Sequence, residues 1–321
     1  MWELTLILAL SGAAALYVFV VEPLWVLPVL EWLTPGILYR VKTEKQLVAL
    51  SFDDGPHPEF TPRVLEILER YGAKATFFLI GERAERNPEL VRRILDEGHE
   101  IGNHYWKNGT TLGHSDERFL ENLIRTERAI GSVAPEYFGE IRKSGVGPPH
   151  SEEKQDPGSP TRSGQAKGGP GAPASARTRF DPFLHGDATT GAAKSGYATR
   201  GPTQKLTPTT ASEGLRFFRA PGGVAWPWQL RLVREHGYTC VLGCAYPHDP
   251  MRLSVGYLRW LVKKNLQAGT IVILHDGIKD TTRSIEALPH ILEEGKRRGL
   301  RFVTVGELVD TADSRRTNGD T

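Results

Sequence analysis

The chain has 321 residues, 39% of them hydrophobic, which suffices for one large α/β domain and excludes a chain disordered throughout. Its 40 basic and 38 acidic side chains leave a formal charge of +2, so the overall balance carries no footprint for nucleic acid, and no protein partner is inferred from it. Cys240 and Cys244, the only cysteines, are too few for a disulfide framework or a four-ligand zinc site, and their apolar surroundings read as those of core thiols.

The first element is an uncharged apolar run, Leu4–Val21, about long enough to cross a hydrocarbon core of about 30 Å as a helix. It reads as a single-pass signal-anchor. No Lys or Arg precedes it and the apolar character continues through LWVLPVLEWL, which disfavours a cleavable signal, while a buried core helix stays open. Residues 1–34 are therefore expected to be a membrane anchor. Arg40, Lys42 and Lys45 follow the span, which nominally favours a cytoplasmic carboxyl side, whereas a glycan substrate would favour the opposite one.

From Leu47 onward short apolar runs alternate with amphipathic ones, the pattern of βα units and a parallel sheet. Seven strands are expected: Leu47–Phe52, Ala75–Ile80, Glu100–His104, Arg216–Arg219, Thr239–Gly243, Ile271–His275 and Arg301–Val305. Thr61 with Pro62 opens a helix that Gly72 closes, Asn87 with Pro88 opens one that Gly98 closes, and Ser115 caps a third with Asp116 and Glu117 in its first turn. Between Gly131 and Gly214 the alternation stops. From Lys143 to Thr178 the one branched aliphatic residue is Val146, so residues 132–214 read as a low-complexity, disordered insertion, either a tether or, as we favour, translated non-coding sequence. Residues 309–321 read as a polar tail.

Reactive side chains fall at the carboxyl ends of these strands: Asp53 and Asp54, His104, Arg219, and His275 with Asp276. In a parallel βα barrel those ends share one face. Adjacent acids raise each other's pKa unless something divides their roles, and a divalent cation on Asp54 and His104 would leave Asp53 as a general base held ionised by Arg219. His275 would then supply the proton for a leaving group, which describes metal-assisted hydrolysis of an acyl bond.

SFDDGP (51–56), GNHYWKN (102–108), FFRAPGG (217–223) and VILHDG (272–277) resemble, in order, four of the five motifs of the polysaccharide deacetylases with NodB homology, carbohydrate esterase family 4. The resemblance covers residues 46–308, apart from the insertion. It implies a distorted (β/α)7 barrel and removal of acetyl groups from an N-acetylated glycan such as chitin, or from peptidoglycan or xylan. It also implies Asp53 as catalytic base, Asp54 and His104 as metal ligands, Arg219 as orienter of the base, His275 as general acid, and the Gly222 N–H in the oxyanion hole.

Three departures accompany it. The second metal-binding His of the family is Asn108 here, because the distance from His104 to the Ser115 cap puts His114 beside the helix; a carbonyl oxygen is a weaker zinc ligand than imidazole, so zinc or a similar divalent ion is expected without its identity being settled. The fourth motif, VLGCAYPHDP, has Cys244 and Pro250 at two family positions and keeps Asp249, which can orient His275. FRAPGG has Ala220 and Gly222 in place of proline and an aromatic wall, and Trp226 and Trp228 offer either a stacking surface or core packing. Two alternatives to the metal-assisted deacetylase are a metal-independent amidase on the same barrel and an inactive carbohydrate-binding homologue.

Overall fold

A nine-residue strand, β2 (Leu47–Gly55), is buried along its whole length, as expected of a strand covered on both faces. The computed structural model describes residues 20–135 and 217–313, with Gly12 and Tyr17. Around β2 runs a curled sheet with every pairing between its strands parallel: β1 (Ile37–Leu38), β6 (Thr239–Val241), β5 (Phe217–Phe218), β4 (Glu100–Asn103), β3 (Thr76–Leu79), β2 and β7 (Ile271–His275) in spatial order. β8 (Arg301–Val303) pairs with Leu47–Ala49 at the start of β2 and lies off this path.

The helices are α1 (Leu27–Leu33), α2 (Phe60–Tyr71), α3 (Gly81–Arg86), α4 (Pro88–Asp96), α5 (Asp116–Gly131), α6 (Pro227–Glu235), α7 (Val255–Asn265), α8 (Thr282–Arg297) and α9 (Val305–Asp313). α2 buries Val64, Leu65 and Leu68 against the sheet, each contributing about 1.5–3 kcal/mol. It stops at Gly72, whose φ of 62° is left-handed and whose N–H bonds back to Glu69 O. Ser115 caps α5 by accepting a hydrogen bond from the Arg118 N–H.

All seven predicted strands are present, and the curled parallel sheet fits the expected (β/α)7 barrel, with one strand off the main path and one added strand. The strand predicted at Arg301–Val305 is β8, which joins the same sheet by pairing with the start of β2 beside the main path, and the gap between β6 and β7 is spanned by a segment not predicted as a strand. Ile37 and Leu38 pair with Cys240 and Val241, while Arg40 bridges to Thr270 and the Val41 N–H bonds to Gly269 O. Gly269 has a φ of 83°, and a side chain there would run into Val41 O. The barrel unit therefore begins well before residue 46. Leu27 is buried with Tyr39 and Cys244, and Leu24 and Leu30 pack beside them, so the second half of the expected anchor lies on the barrel. Both cysteines are buried and unpaired, and burial pushes their thiols up, to about 12 for Cys240 and about 11 for Cys244. The expected polar tail starts inside α9.

The chain divides into two units, Met1–Gly147 with Thr210–Thr321, and Pro148–Thr209. The second lies outside the described residues, as does 136–214 of the expected insertion. Most of Leu4–Val21 lies outside them too; among the described residues no helix is long and apolar enough to cross a membrane.

Candidate active site

Successive side chains of a regular strand point to opposite faces, so two adjacent acids should not share a site. At the end of β2 they do. Asp53 stands opposite Phe78 of β3 and Gly55 opposite Leu79, leaving Asp54 as the extra residue of a β-bulge with a φ of 68°. Both acids line a cavity of about 410 Å³ with His104, Asn108, Arg219, Gly222 and His275. A left-handed conformation costs a non-glycine residue about 1–3 kcal/mol and persists where its surroundings hold it. Here Arg83 does so, donating from Nη1 to Asp54 O at 2.6 Å and also to Gly277 O. Gly277 is required for that approach, since a side chain there would collide with Asp54 O.

Arg219, at the end of β5, is 2% exposed. Its Nη1 donates to Asp53 Oδ1 at 2.5 Å and to Ser51 Oγ at 2.9 Å, its Nε donates to Val241 O at 3.0 Å, and its guanidinium lies 3.9 Å from the centre of the Phe78 ring. Burial lowers its pKa, opposed by Asp53. The pair is thus locked with the Asp53 carboxylate in one orientation.

His104, just past β4, donates from Nδ1 to Arg219 O at 2.9 Å; a carbonyl can only accept, so in the neutral ring Nε2 carries the lone pair. That atom stands 3.4 Å from Asp54 Oδ1, which is buried without a hydrogen-bond partner among the described residues. Burial raises the Asp54 pKa, but His104, His275 and Arg83 outweigh it and the carboxyl is held below its usual value. A buried carboxylate oxygen lacking a donor, facing an imidazole nitrogen fixed by a carbonyl behind it, is a donor set that fits a cation. Among the described residues no three His, Cys, Asp or Glu side chains form a metal-binding group. Asn108, an exposed amide, is also among the residues that line the cavity. His114 hydrogen-bonds Tyr105 Oη at 3.0 Å and lines a separate concavity of about 460 Å³ with Trp106, Lys107, Arg118 and Arg125, which Asn108 also borders.

His275, at the end of β7, receives both oxygens of Asp249: Nδ1 donates to Oδ1 at 2.8 Å and the backbone N–H to Oδ2 at 2.9 Å. Ser284 donates to the same Oδ2 at 2.6 Å. Burial opposes charge on the imidazole, but Asp249, with Asp53 and Asp54 beyond, raises its pKa to about 9. His275 is therefore protonated at neutral pH and Asp249 is its support rather than a wall of the cavity. Gly222 sits in a turn, Pro221–Gly223, with a φ of 68°; the neighbouring Gly223 N–H is committed to Ala220 O. Trp228 packs edge-on to Phe119 at 5.3 Å, and neither it nor Trp226 lines the cavity.

Glu22, Tyr39 and Tyr246 line the cavity without having been singled out from the sequence. Tyr246 follows Ala245, which bridges to Val272 of β7. The only signal for Glu22 is that it is the first charge after the apolar run.

Residues 40–156 match the family model for polysaccharide deacetylase. A peptidoglycan-N-acetylglucosamine deacetylase of Bacillus cereus is 31% identical over 278 residues, covering 86% of this chain and 94% of that protein. A chitooligosaccharide deacetylase of Sinorhizobium fredii is 42% identical over 103 residues, covering 30% of this chain and 45% of that one. The crystal structure of a peptidoglycan N-acetylglucosamine deacetylase superposes with a TM-score of 0.59 at 24% identity, covering 87% of this chain and 96% of that one. With the paired acids, Arg219 and His275 gathered at one end of a curled parallel sheet, this likeness along nearly the whole of a relative shows that the chain belongs to the polysaccharide deacetylase family.

Proposed function

We propose that the protein removes acetyl groups from N-acetylglucosamine residues of a peptidoglycan- or chitin-type glycan. Deacetylation, hydrolysis of a carbon–nitrogen bond that is not a peptide bond, is the activity of its relatives. The observation that carries the reading is the presence in one cavity of an acid clamped by arginine, Asp53–Arg219, and an imidazole clamped by a carboxylate, His275–Asp249.

Asp53 takes a proton from the water whose oxygen attacks the acetyl carbonyl carbon. The negative charge passes to the carbonyl oxygen, to which the N–H of Gly222, a residue of the cavity wall, would donate. As the carbon–nitrogen bond breaks, His275 gives its proton to the amide nitrogen, so acetate and a free amino sugar leave. Arg219 holds Asp53 in place and Asp249 keeps His275 in its acid form. Asp54 and His104, with Asn108, would hold a divalent cation, zinc or similar, which when bound supplies Lewis acidity to water and carbonyl. The Leu4–Val21 run, followed by the exposed Trp25 and Trp32, supports a single-pass membrane anchor.

Acetate release from chitooligosaccharide and from peptidoglycan tests the reading, with Asp53→Asn and His275→Ala expected to lower kcat by about 100-fold or more. Equal rates in wild type and Asp53→Asn would overturn it. Assay after chelation and after re-addition of zinc tests the cation.

A further inference from the structure

The segment that follows the apolar run places two side chains, Glu22 and Tyr39, in the wall of the catalytic cavity. Glu22 is held there from several directions. Its Oε2 accepts from the Tyr246 N–H at 2.8 Å, its Oε1 stands 3.3 Å from His248 Nε2, and its backbone O accepts from Asn265 Nδ2 at 3.2 Å. The residues before it are tied to α7, where Tyr257 Oη donates to Val20 O at 2.7 Å and Lys264 Nζ to Val21 O at 2.8 Å.

Glu22 has a φ of 45°, left-handed for a residue with a side chain, so these contacts maintain a backbone turn that would otherwise relax. The turn sets Glu22 in the wall of the cavity that His275 also lines, with Tyr246 beside both. The Tyr246 ring lies 4.7 Å from the His248 ring and 5.8 Å from that of His275, centre to centre. A charged glutamate tying the segment to the barrel would serve as well on the outer surface, whereas this one keeps 20% of its side chain exposed while lining the cavity. Burial pushes its pKa to about 8, against the Tyr246 N–H and Lys264, so at neutral pH it has a hydrogen to donate as well as lone pairs to accept with. Groups that both accept and donate match alcohols.

We propose that Glu22, seated on His248 and the Tyr246 amide, is a sugar-binding residue of this site, hydrogen-bonding hydroxyl groups of the pyranose that carries the scissile acetamide. The inference rests on the glycan reading above and deepens it: the segment after the apolar run is part of the substrate site and not a plain tether.

The test is steady-state acetate release by the full chain from N-acetylchitooligosaccharides, comparing wild type, Glu22→Ala and Glu22→Gln, with the melting temperature of each. Glu22→Ala is expected to raise KM about tenfold, the worth of a lost hydrogen bond, with kcat changed by less than about threefold. Glu22→Gln, whose amide accepts and donates, is expected to recover most of the loss. A KM for Glu22→Ala within about twofold of wild type overturns the proposal. So does a loss confined to kcat with a lowered melting temperature and no recovery in Glu22→Gln, which marks a structural strut. If the wild type releases no acetate from any acetylated glycan, the glycan reading itself fails and takes this one with it.

Discussion

Two buried carboxylates with different partners, Asp53 on Arg219 and Asp249 on His275, distinguish this site at the scale of single residues. Asp53 is paired with a buried guanidinium, and removing that partner by Arg219→Met would leave the buried carboxyl without its ion-pair partner. A loss of about 3–5 kcal/mol is expected in denaturant unfolding. Asp249 works through another group, since it holds the His275 proton in place. Activity that needs the imidazolium is full below its pKa and is lost as pH rises through about 9. Asp249→Asn removes the carboxylate that raises this value, so the alkaline limb of the kcat profile should move to lower pH, by a unit or more on the order of a close charge partner. Stability has a related slope. His275 is raised from 6.5 to about 9, Asp276 from 3.8 to about 7 and Glu22 from 4.5 to about 8, so the folded state keeps protons that the unfolded chain has released. Each contributes stability that is fully present below its unfolded value and declines as pH rises through its folded one. Between about pH 4 and 9 this part of the stability therefore falls, and in Asp276→Asn melting between pH 4 and 7 should show a flatter slope than wild type.

Among the elements, the end of β2 and the segment Ile37–Val41 do the positioning. The bulge at Asp54 turns an alternating strand into one that delivers consecutive side chains to the same cavity, and Arg83 and Gly277 hold it. Gly277→Ala should lower activity more than fold content, because the displaced atom is the Asp54 carbonyl next to the proposed ligand; acetate release alongside circular dichroism would show the split. Gly269→Ala acts on the other element. Its φ of 83° alone costs an alanine about 1–2 kcal/mol, and the added methyl meets Val41 O, so the variant should melt at a lower temperature. The run LVALSFDDG made β2 and its terminal acids visible, since an apolar run ending in Asp-Asp-Gly reads as a strand entering a turn. The bulge was not visible, because a positive φ at Asp54 is imposed by pairing to β3 and by Arg83, which is distant in the chain. β1 escaped for the same reason: two residues have no periodicity, and their strand character comes from β6.

For the molecule as a whole, α5 ends at Gly131 and β5 begins at Phe217, a junction that helix-to-strand connections usually make in about two to six residues. If residues 136–214 are an insertion outside the barrel, replacing them with a short Gly-Ser linker should preserve melting temperature and acetate release. A loss of either would make the segment part of the working protein. By itself the sequence determined the βα alternation, the order of the four motifs and which reactive side chains stand at strand ends, because strand ends, caps and side-chain identities are local properties of the chain. Only the tertiary structure decided that a bulge at Asp54 is what lets both acids face one cavity, that Asp249 holds His275 through both of its oxygens, and that Glu22 joins them. Those placements depend on pairings between segments far apart in sequence, and their energies come from burial and hydrogen bonds that exist only once the sheet has curled.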